Sequence, residues 1–402
     1  MSPLRVTVFF GLTALVLGLS NLHALGWVNR AFAPSPRVRR ALQLVVFGAL
    51  AGMVLGRAFD MAMTNAPVTW LLAVSGTVEL AVLMSTALLL PADAVRLVAM
   101  HAGRVRARLT KPPPSLPPGP EIPRRAVLAQ AAASTAFLIG GSSAVYGSVI
   151  GRHDYALEEF PVRIPGLSRA LDGFTIVQLS DIHIGQFVGD AELRVAEDLI
   201  VRASPDLVVL TGDLLDHDAA LAERLGRFVR RLVPLAREGV VAISGNHDFY
   251  AGIAPITAAV RAAGARMLVN DAAVVGRGQA AFSLLGVEDV WARRSGGGPE
   301  LARAVAALPP EARELPRVLL CHNPSYFEEA AGKVALQLSG HTHGGQVSLG
   351  VNPAEWFVKR GWVRGAYEYQ GSRLYVNRGF GTVGPPARVG SPPELTRVVL
   401  TA

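Results

Sequence analysis

Side chains that could bind a metal ion or move a proton are concentrated at the ends of five short apolar runs between residues 172 and 343. They combine carboxylates, imidazoles and one carboxamide, a mixture typical of sites for borderline or hard divalent cations. In chain order the clusters are D-x-H (Asp181, His183), G-D-x-x-D (Asp213, Asp216), G-N-H-D (Asn246, His247, Asp248), a single histidine (His322) and G-H-x-H (His341, His343). One such cluster alone is typical of an ordinary loop, but the ordered set predicts a single site for two metal ions.

The apolar runs that precede these clusters are short enough for β-strands, and helical stretches separate them. GFTIVQL, DLVVLT and GVVAIS read as strands, whereas AELRVAEDLIVRA and LAERLGRFVRRLVPLA read as helices. This β-α-β-α-β order predicts an α/β fold in which helices flank the sheets. Ligands of such sheets gather beyond the carboxyl ends of the strands, which is where the clusters fall.

Three glycines surround the last histidine pair, in the stretch QLSGHTHGGQ. Because His341 and His343 are only two positions apart, we expect a tightly turned backbone that directs them at different ions. Gly340, Gly344 and Gly345 permit unusual φ and ψ angles and keep side chains out of the space beside both histidines.

The ordered clusters resemble the signature of the calcineurin-like metallophosphoesterase superfamily, over about residues 172–402. The tail YVNRGFGTVGPPARVGSPPELTRVVL is similar to that of membrane-attached or exported bacterial phosphodiesterases related to UDP-2,3-diacylglucosamine pyrophosphatases. The resemblance implies a four-layer αββα sandwich with two central sheets.

The resemblance also implies roles for the clustered residues. Two divalent ions would be bound, with Mn, Fe or Zn favoured and Mg permitted by the ligand types. The resemblance implies that the two ions would turn a bound water into hydroxide near neutral pH, and that this hydroxide would attack phosphorus in line. Carried over by motif, the ligands are Asp181, His183 and His343 for the first ion, Asp213 for both, and Asn246, His322 and His341 for the second.

Further polar residues lie beside the expected ligands. We expect His247 to face the substrate and to contact the phosphate or protonate the leaving oxygen, and Asp248 to fix its tautomer. Asp216 is expected to accept a hydrogen bond near His247 or Asn246, with turn stabilisation as the alternative. His217 is expected to be exposed and without function.

The first 150 residues have a different composition, with four apolar windows at roughly 6–28, 41–59, 69–92 and 126–150. A membrane-spanning helix needs about 20 apolar residues, so the windows predict an all-α membrane domain of about four transmembrane helices, against the alternative of a buried helical bundle. Residues 1–150 carry a net charge of +9 and residues 151–402 a net charge of −1. The basic excess therefore belongs to the membrane half, and no nucleic-acid partner is expected.

The arginines of the first and third loops predict that these loops are cytoplasmic and that the chain beyond residue 150 is extracytoplasmic. Arg124 and Arg125 read either as a twin-arginine export signal or as an ordinary basic flank. We expect a multi-pass protein of the inner (plasma) membrane with a membrane domain at 1–150, a linker at 151–171 and a catalytic domain at 172–402. The single Cys321 excludes an internal disulfide framework.

Together these features predict a binuclear metal-dependent phosphoesterase. We expect it to act on a phosphodiester or pyrophosphate that is lipid-linked or part of the envelope. The alternatives are a phosphomonoesterase for small extracytoplasmic substrates, a metal-bound sensory or binding domain without catalysis, and a transporter with an accessory phosphoesterase. The insert with Trp291, Arg293 and Arg294 either approaches a head group or is a solvated loop. The stretch NPAEWFVKRGWVRGAYEYQG either contacts a membrane interface or packs its aromatic side chains into a sheet.

Overall fold

A computed structural model describes residues 3–60, 66–109, 124–278 and 280–402 of the chain. Within it the chain divides into two compact units, Met1–Ser148 and Val149–Ala402. We describe each unit by itself. The proline-rich part of the predicted third loop, at 110–123, lies outside the described residues.

The described residues of the N-terminal unit form four helices. Their bounds are α1 Pro3–Phe32, α2 Pro36–Asp60, α3 Ala66–Leu109 and α4 Arg124–Val149. Each contains a stretch long and apolar enough to cross a membrane, as the four windows predicted. The buried residues of α4 are small, including Ala133, Ala144 and Gly147. A Cβ on Gly140 would come within 2.4 Å of Ser85 Oγ, so this face permits the close helix contact typical of membrane bundles.

Helix α3 is longer than the sequence analysis predicted. It continues through Pro91 to Leu109, so Arg96 and Arg104, which were assigned to the third loop, lie on this helix. A proline inside a helix removes one backbone hydrogen bond, but the residues after it include Ala, Arg, Leu and Met, which favour helix. The same helix carries the buried Glu79, and Asn21 Nδ2 donates to Glu79 Oε1 at 3.1 Å.

The C-terminal unit contains two six-stranded sheets. The first has the order β1-β12-β2-β3-β4-β5 and the second the order β10-β11-β9-β8-β7-β6. Strands β2, β3, β4 and β5 are parallel, as are β7, β8, β9 and β11. The strands are β1 Ala156–Arg163, β2 Thr175–Leu179, β3 Leu207–Thr211, β4 Val240–Ile243, β5 Arg266–Met267, β6 Asp271–Arg277, β7 Ala280–Gly286, β8 Arg317–Leu320, β9 Leu336–Ser339, β10 Gly365–Tyr369, β11 Ser372–Val376 and β12 Glu394–Thr401.

Helices cover the outer faces of both sheets. They are α5 Asp190–Ala203, α6 Ala222–Leu232, α7 Asn246–Ala251, α8 Ile253–Ala262, α9 Leu301–Ala306, α10 Phe327–Ala330 and α11 Ala354–Phe357. One core cluster joins the first sheet to α5, α6 and α8, and another joins the second sheet to α9 and α10. A third lies between the sheets and includes Ile176, Val209 and Phe282. Three apolar layers between four layers of structure confirm the predicted αββα sandwich.

Part of the segment expected to be a linker at 151–171 is a strand, because residues 156–163 form β1. This strand pairs in parallel with β12, in a register that joins Ala156 to Glu394 and Arg163 to Thr401. Its residues alternate between exposed and partly or fully buried positions, as an edge strand with one covered face requires. The segment therefore belongs to the first sheet, which it closes on one side.

We predict that Phe282→Ala destabilises the C-terminal unit by about 3–5 kcal/mol, because the substitution leaves a cavity between the sheets. Phe282 is fully buried, and its ring lies 5.4 Å from that of Phe174. Thermal unfolding of the detergent-solubilised chain measures the effect. The matched control is Phe357→Ala, since Phe357 is 86% exposed; equal midpoints for the two variants would show that the core between the sheets contributes little.

Candidate metal centre

The five polar clusters lie directly after parallel strands, at the carboxyl ends where the sequence placed them. Asp181 and His183 follow β2, Asp213 follows β3, and Asn246 begins the helix that follows β4. In the second sheet, His322 follows β8, while His341 and His343 follow β9. The two sheets thus bring all five clusters to one region of the C-terminal unit.

One group of ligand atoms comes from Asp181, His183 and His343. His183 Nε2 lies 3.1 Å from His343 Nε2, which lies 3.4 Å from Asp181 Oδ1. One ligand atom from each residue falls within 4.8 Å of the others, close enough to hold one ion. All three side chains are buried.

A second group joins Asp213, His322 and His341, again with its ligand atoms within 4.8 Å of one another. Asp213 Oδ2 lies 3.2 Å from His322 Nε2 and also 3.6 Å from His183 Nε2 of the first group. A single carboxylate oxygen therefore stands between the two groups.

Buried atoms without hydrogen-bond partners test whether the residues fit metal ions. Asn246 Oδ1 and His322 Nε2 are buried and lack partners among the described residues. His322 Nε2 forms an ion-pair contact with Asp213 Oδ2 at 3.2 Å but no hydrogen bond. Burying a polar atom unpaired is costly, so these atoms fit a bound cation, and the donor set of carboxylate, imidazole and amide oxygen suits one.

The electrostatics of the site favour the neutral imidazole at His183, His341 and His343 and the charged imidazole at His322. Burial lowers the pKa of His183 and that of His341 to about 4, and burial with the charge of Arg388 lowers the pKa of His343 well below its ordinary value. Burial opposes the charged form of His322, but the Asp213 and Asp181 carboxylates raise its pKa well above the ordinary value. A neutral imidazole is the form that binds metal.

Backbone groups orient several of these side chains. His322 Nδ1 donates to the carbonyl oxygen of Thr211 at 2.8 Å, which leaves Nε2 facing Asp213. The backbone N–H of His341 donates to both carboxylate oxygens of Asp181 at 3.0 Å. A Cβ on Gly340 would lie 2.1 Å from Asp181 Oδ2, so only glycine permits this approach.

His247 stands at the edge of the first group, its ring centroid 4.6 Å from that of His183. Asp248 was expected to fix the tautomer of His247, but Asp216 makes the contact with its ring. His247 Nδ1 donates to the carbonyl oxygen of Asp216 at 2.8 Å and lies 3.4 Å from its Oδ1. Burial opposes the charged form of His247, but the contacts with Asp216 and the charge of Asp213 raise its pKa to about 9. The side chain of His217 was expected to be exposed, but it is only 26% exposed. Its Nδ1 lies 3.3 Å from Asp216 Oδ2.

Asp248 is fully buried and organises the backbone instead. Its carboxylate accepts from the N–H groups of Leu214, Leu215 and Gly245 at 2.9–3.2 Å. Burial and the charge of Asp213 raise the pKa of Asp248 to about 7. These bonds join the loop after β3 to the loop after β4. The expectation failed because neighbours in a helical turn can point to different surroundings.

Arg388, which was not predicted from the sequence, is fully buried and contacts His343. Its Nη1 donates to the carbonyl oxygen of His343 at 3.0 Å, and its Nη2 lies 3.0 Å from His343 Nδ1. Further bonds go to the carbonyl oxygens of Arg378, Gly379 and Gly381. The only signal in the sequence is an arginine within the tail motif, which does not reveal a contact 45 residues away.

The insert with Trp291 is joined to the site by aromatic contacts. The Tyr250 ring lies 5.3 Å from His247 and 5.2 Å from Trp291. The guanidinium of Arg294 lies 3.3 Å from the Trp291 ring centroid. An aromatic and cationic wall, formed by Tyr250, Trp291 and Arg294, therefore extends from His247 towards solvent.

Comparisons with known proteins agree with this geometry. The family model for calcineurin-like phosphoesterases matches residues 174–345. Phosphodiesterase YaeI of Escherichia coli is 32% identical over 236 residues, which cover 56% of this chain and 82% of that protein. A Danio rerio protein named transmembrane protein with metallophosphoesterase domain is 31% identical, over 66% of this chain and 62% of its own length. The uncharacterized metallophosphoesterase YkuE of Bacillus subtilis is 28% identical, over 64% of this chain and 90% of its own.

Among solved structures, a 5'-nucleotidase precursor from Thermus thermophilus is 18% identical with a TM-score of 0.37, over 57% of this chain and 54% of that one. The chain belongs to the calcineurin-like metallophosphoesterase family. With four helices of membrane-spanning length and relatives named transmembrane proteins, it is a membrane protein. The finer resemblance to UDP-2,3-diacylglucosamine pyrophosphatases stays a prediction.

We predict that Arg388→Lys weakens metal binding about 10- to 100-fold, because the lysine keeps the charge but loses the fork that holds the His343 loop. Metal titration of the chelator-stripped protein measures the effect, and circular dichroism checks the fold. Arg373→Lys is the matched control, since Arg373 is half-exposed and pairs with Glu368 on the surface. Identical metal affinities in the two variants would exclude a role for Arg388 in positioning His343.

Proposed function

We propose that the chain is a phosphoric ester hydrolase that uses two divalent cations. The observation that carries the proposal is the position of Asp213 Oδ2 between the two groups, 3.6 Å from His183 Nε2 and 3.2 Å from His322 Nε2. Asp181, His183 and His343 would hold one ion, Asn246, His322 and His341 the other, and Asp213 both. When bound, the two ions would stabilise negative charge on the phosphoryl group and lower the pKa of a water that attacks phosphorus.

His247 is the residue best placed to act on the substrate. Its side chain is 22% exposed, whereas those of His183 and Asp213 are 1% and 3% exposed. Because Nδ1 donates to the carbonyl oxygen of Asp216, Nε2 is available to contact the phosphate or to donate a proton to the leaving oxygen. Asp216 would hold the ring in place, and Asp248 would act through the backbone of the two loops.

For the substrate we propose a phosphodiester or pyrophosphate that is lipid-linked or belongs to the cell envelope. The wall formed by Tyr250, Trp291 and Arg294 begins at His247, where it could contact a leaving group. A phosphomonoester with a small leaving group would have little there for such a wall to bind. A metal-bound sensory unit remains the alternative that hydrolysis assays would distinguish.

For the location we propose a multi-pass protein of the inner (plasma) membrane with its C-terminal unit outside the cytoplasm. The arginines that flank the apolar stretches support this orientation. In the proposed division, residues 1–150 anchor the chain and residues 172–402 carry the site. The segment 151–171 connects them and contributes strand β1 to the first sheet.

We predict that Asp213→Asn removes bound metal and lowers hydrolysis by about a thousandfold or more, because a shared ligand is lost and several kcal/mol of transition-state stabilisation with it. Elemental analysis of the purified chain and assays with bis(p-nitrophenyl) phosphate measure both effects. Asp198→Asn, at an exposed carboxylate of α5, is the matched control. Full hydrolysis by the Asp213→Asn variant would refute the two-metal proposal, whereas metal binding without hydrolysis in the unmodified chain would favour a sensory unit.

We predict that His247→Gln lowers kcat about 100- to 10,000-fold for an alkyl phosphodiester, whose leaving oxygen needs a proton. The loss should be much smaller for a p-nitrophenyl ester, because nitrophenolate leaves without protonation. Comparing the two substrates in the same variant, with metal content measured alongside, separates proton donation from metal loss. Equal losses for both leaving groups would argue against His247 as the acid.

A further inference from the structure

The segment after the last histidine pair divides into a buried part and an exposed part. Trp362 is 5% exposed, and its ring lies 5.3 Å from that of Phe327 in the core beside the second sheet. Trp356 and Phe357 on α11, by contrast, are 72% and 86% exposed. The packing explanation for this stretch therefore holds for Trp362 and fails for the two aromatic residues before it.

The exposed part is a cluster. We call Leu349, Val351, Trp356 and Phe357 the apolar tip; their exposed fractions range from 39% to 86%. From residue 151 onwards, the described residues include seven strongly exposed large apolar side chains, and four of them are in the tip. Single exposed apolar residues need no explanation, but a concentration of them within nine residues marks an interaction surface.

Basic residues follow the tip directly. Lys359 and Arg360 lie against Glu328, and Arg364 donates to the carbonyl oxygen of Gly390 at 2.8 Å. Residues 349–364 carry three basic side chains and one acidic side chain, a net charge of +2. Tryptophan and phenylalanine beside lysine and arginine are the composition of segments that lie in a membrane interface and contact anionic head groups.

We propose that the apolar tip inserts into the surface of the lipid bilayer. The bilayer is the partner that the chain itself supplies, since four of its helices are long and apolar enough to span one. Because the tip is tethered to those helices, its effective concentration at a bilayer is high, and a weak apolar contact suffices to keep it docked.

Docking of the tip would also position the candidate metal centre. Asn352, at the base of the tip, is buried, and its Nδ2 donates to the carbonyl oxygen of Gly344 at 3.1 Å. Gly344 follows His343, so the tip and a proposed metal ligand belong to one connected loop. An apolar segment at a bilayer surface penetrates about 5–10 Å into the head-group boundary. This part of the inference rests on the proposed function: the site would meet phosphoesters at the level of the lipid head groups.

Site-specific labelling tests the docking directly. Phe357→Cys is labelled with a polarity-sensitive fluorophore in the full-length chain, reconstituted one copy per nanodisc of phosphatidylcholine with or without phosphatidylglycerol. The native Cys321 is fully buried, and burial raises the pKa of its thiol, so it does not compete for the label. Val201→Cys, at a position that is 56% exposed on α5, is the matched control.

We expect the fluorescence emission of the probe at 357 to shift to shorter wavelength and to be quenched by spin-labelled lipids. Both effects should be stronger with phosphatidylglycerol. The emission of the probe at 201 should remain that of a probe in water. A solvent-like probe at 357 would overturn the proposal. So would a shift seen only in vesicles with many copies and absent from single-copy nanodiscs, which would assign the tip to a contact between two chains.

A kinetic comparison tests the consequence for the site. In the double variant Trp356→Ser with Phe357→Ser, the KM for a phosphodiester embedded in vesicles should rise about tenfold, since two apolar side chains no longer enter the bilayer. The KM for soluble bis(p-nitrophenyl) phosphate should not change, nor should either value in Val201→Ser. Labelling requires no hydrolysis, so an inactive protein with a docked tip would contradict only the proposed function. Equal KM changes for both substrates would contradict positioning by the tip.

Discussion

Five of the seven proposed metal ligands have a backbone conformation that most residues avoid, and much of the C-terminal unit serves to hold them in it. Asp181, His183, Asp213, His341 and His343 all have φ between 50° and 73°. A left-handed conformation costs an L-residue about 1–2 kcal/mol, although aspartate and histidine accept it more readily than most. Aspartate and histidine, which bind divalent metals, are therefore also among the residues that tolerate the left-handed conformation found after these strands.

Backbone hydrogen bonds join the loops that carry these left-handed residues to one another. The N–H of Asp181 donates to the carbonyl oxygen of Gly212, and that of His183 to the carbonyl oxygen of Asp213, both at 3.0 Å. The buried carboxylate of Asp248 joins the next pair of loops. Strain at a functional site persists only where surrounding contacts determine the conformation. Here the contacts run between loops of neighbouring strands, so the candidate site depends on the parallel order of the sheet.

The features that the sequence predicted are local, and those that it missed depend on distant contacts. Each strand with its polar cluster is visible within about ten residues, because apolar runs and turn residues act locally. The Arg388 contact with His343 and the pairing of β1 with β12 join segments far apart in the chain, and no local pattern encodes them. Asp216 and Asp248 were both recognised as relevant, but which of them contacts His247 depends on how two loops meet. The tail motif indicated the family without revealing that its arginine is buried.

The glycines of QLSGHTHGGQ have a wider role than freedom of the backbone. A Cβ on Gly345 would lie 2.1 Å from Asn352 Oδ1, and Gly345 also has a φ of 83°. A side chain there would push Asn352 away and remove its bond to the carbonyl oxygen of Gly344. Gly340, on the other side of the histidines, is packed equally closely against Ser180 and Asp181. Because both flanks of the loop are packed without space for a Cβ, the positions of His341, His343 and the base of the following segment are determined together.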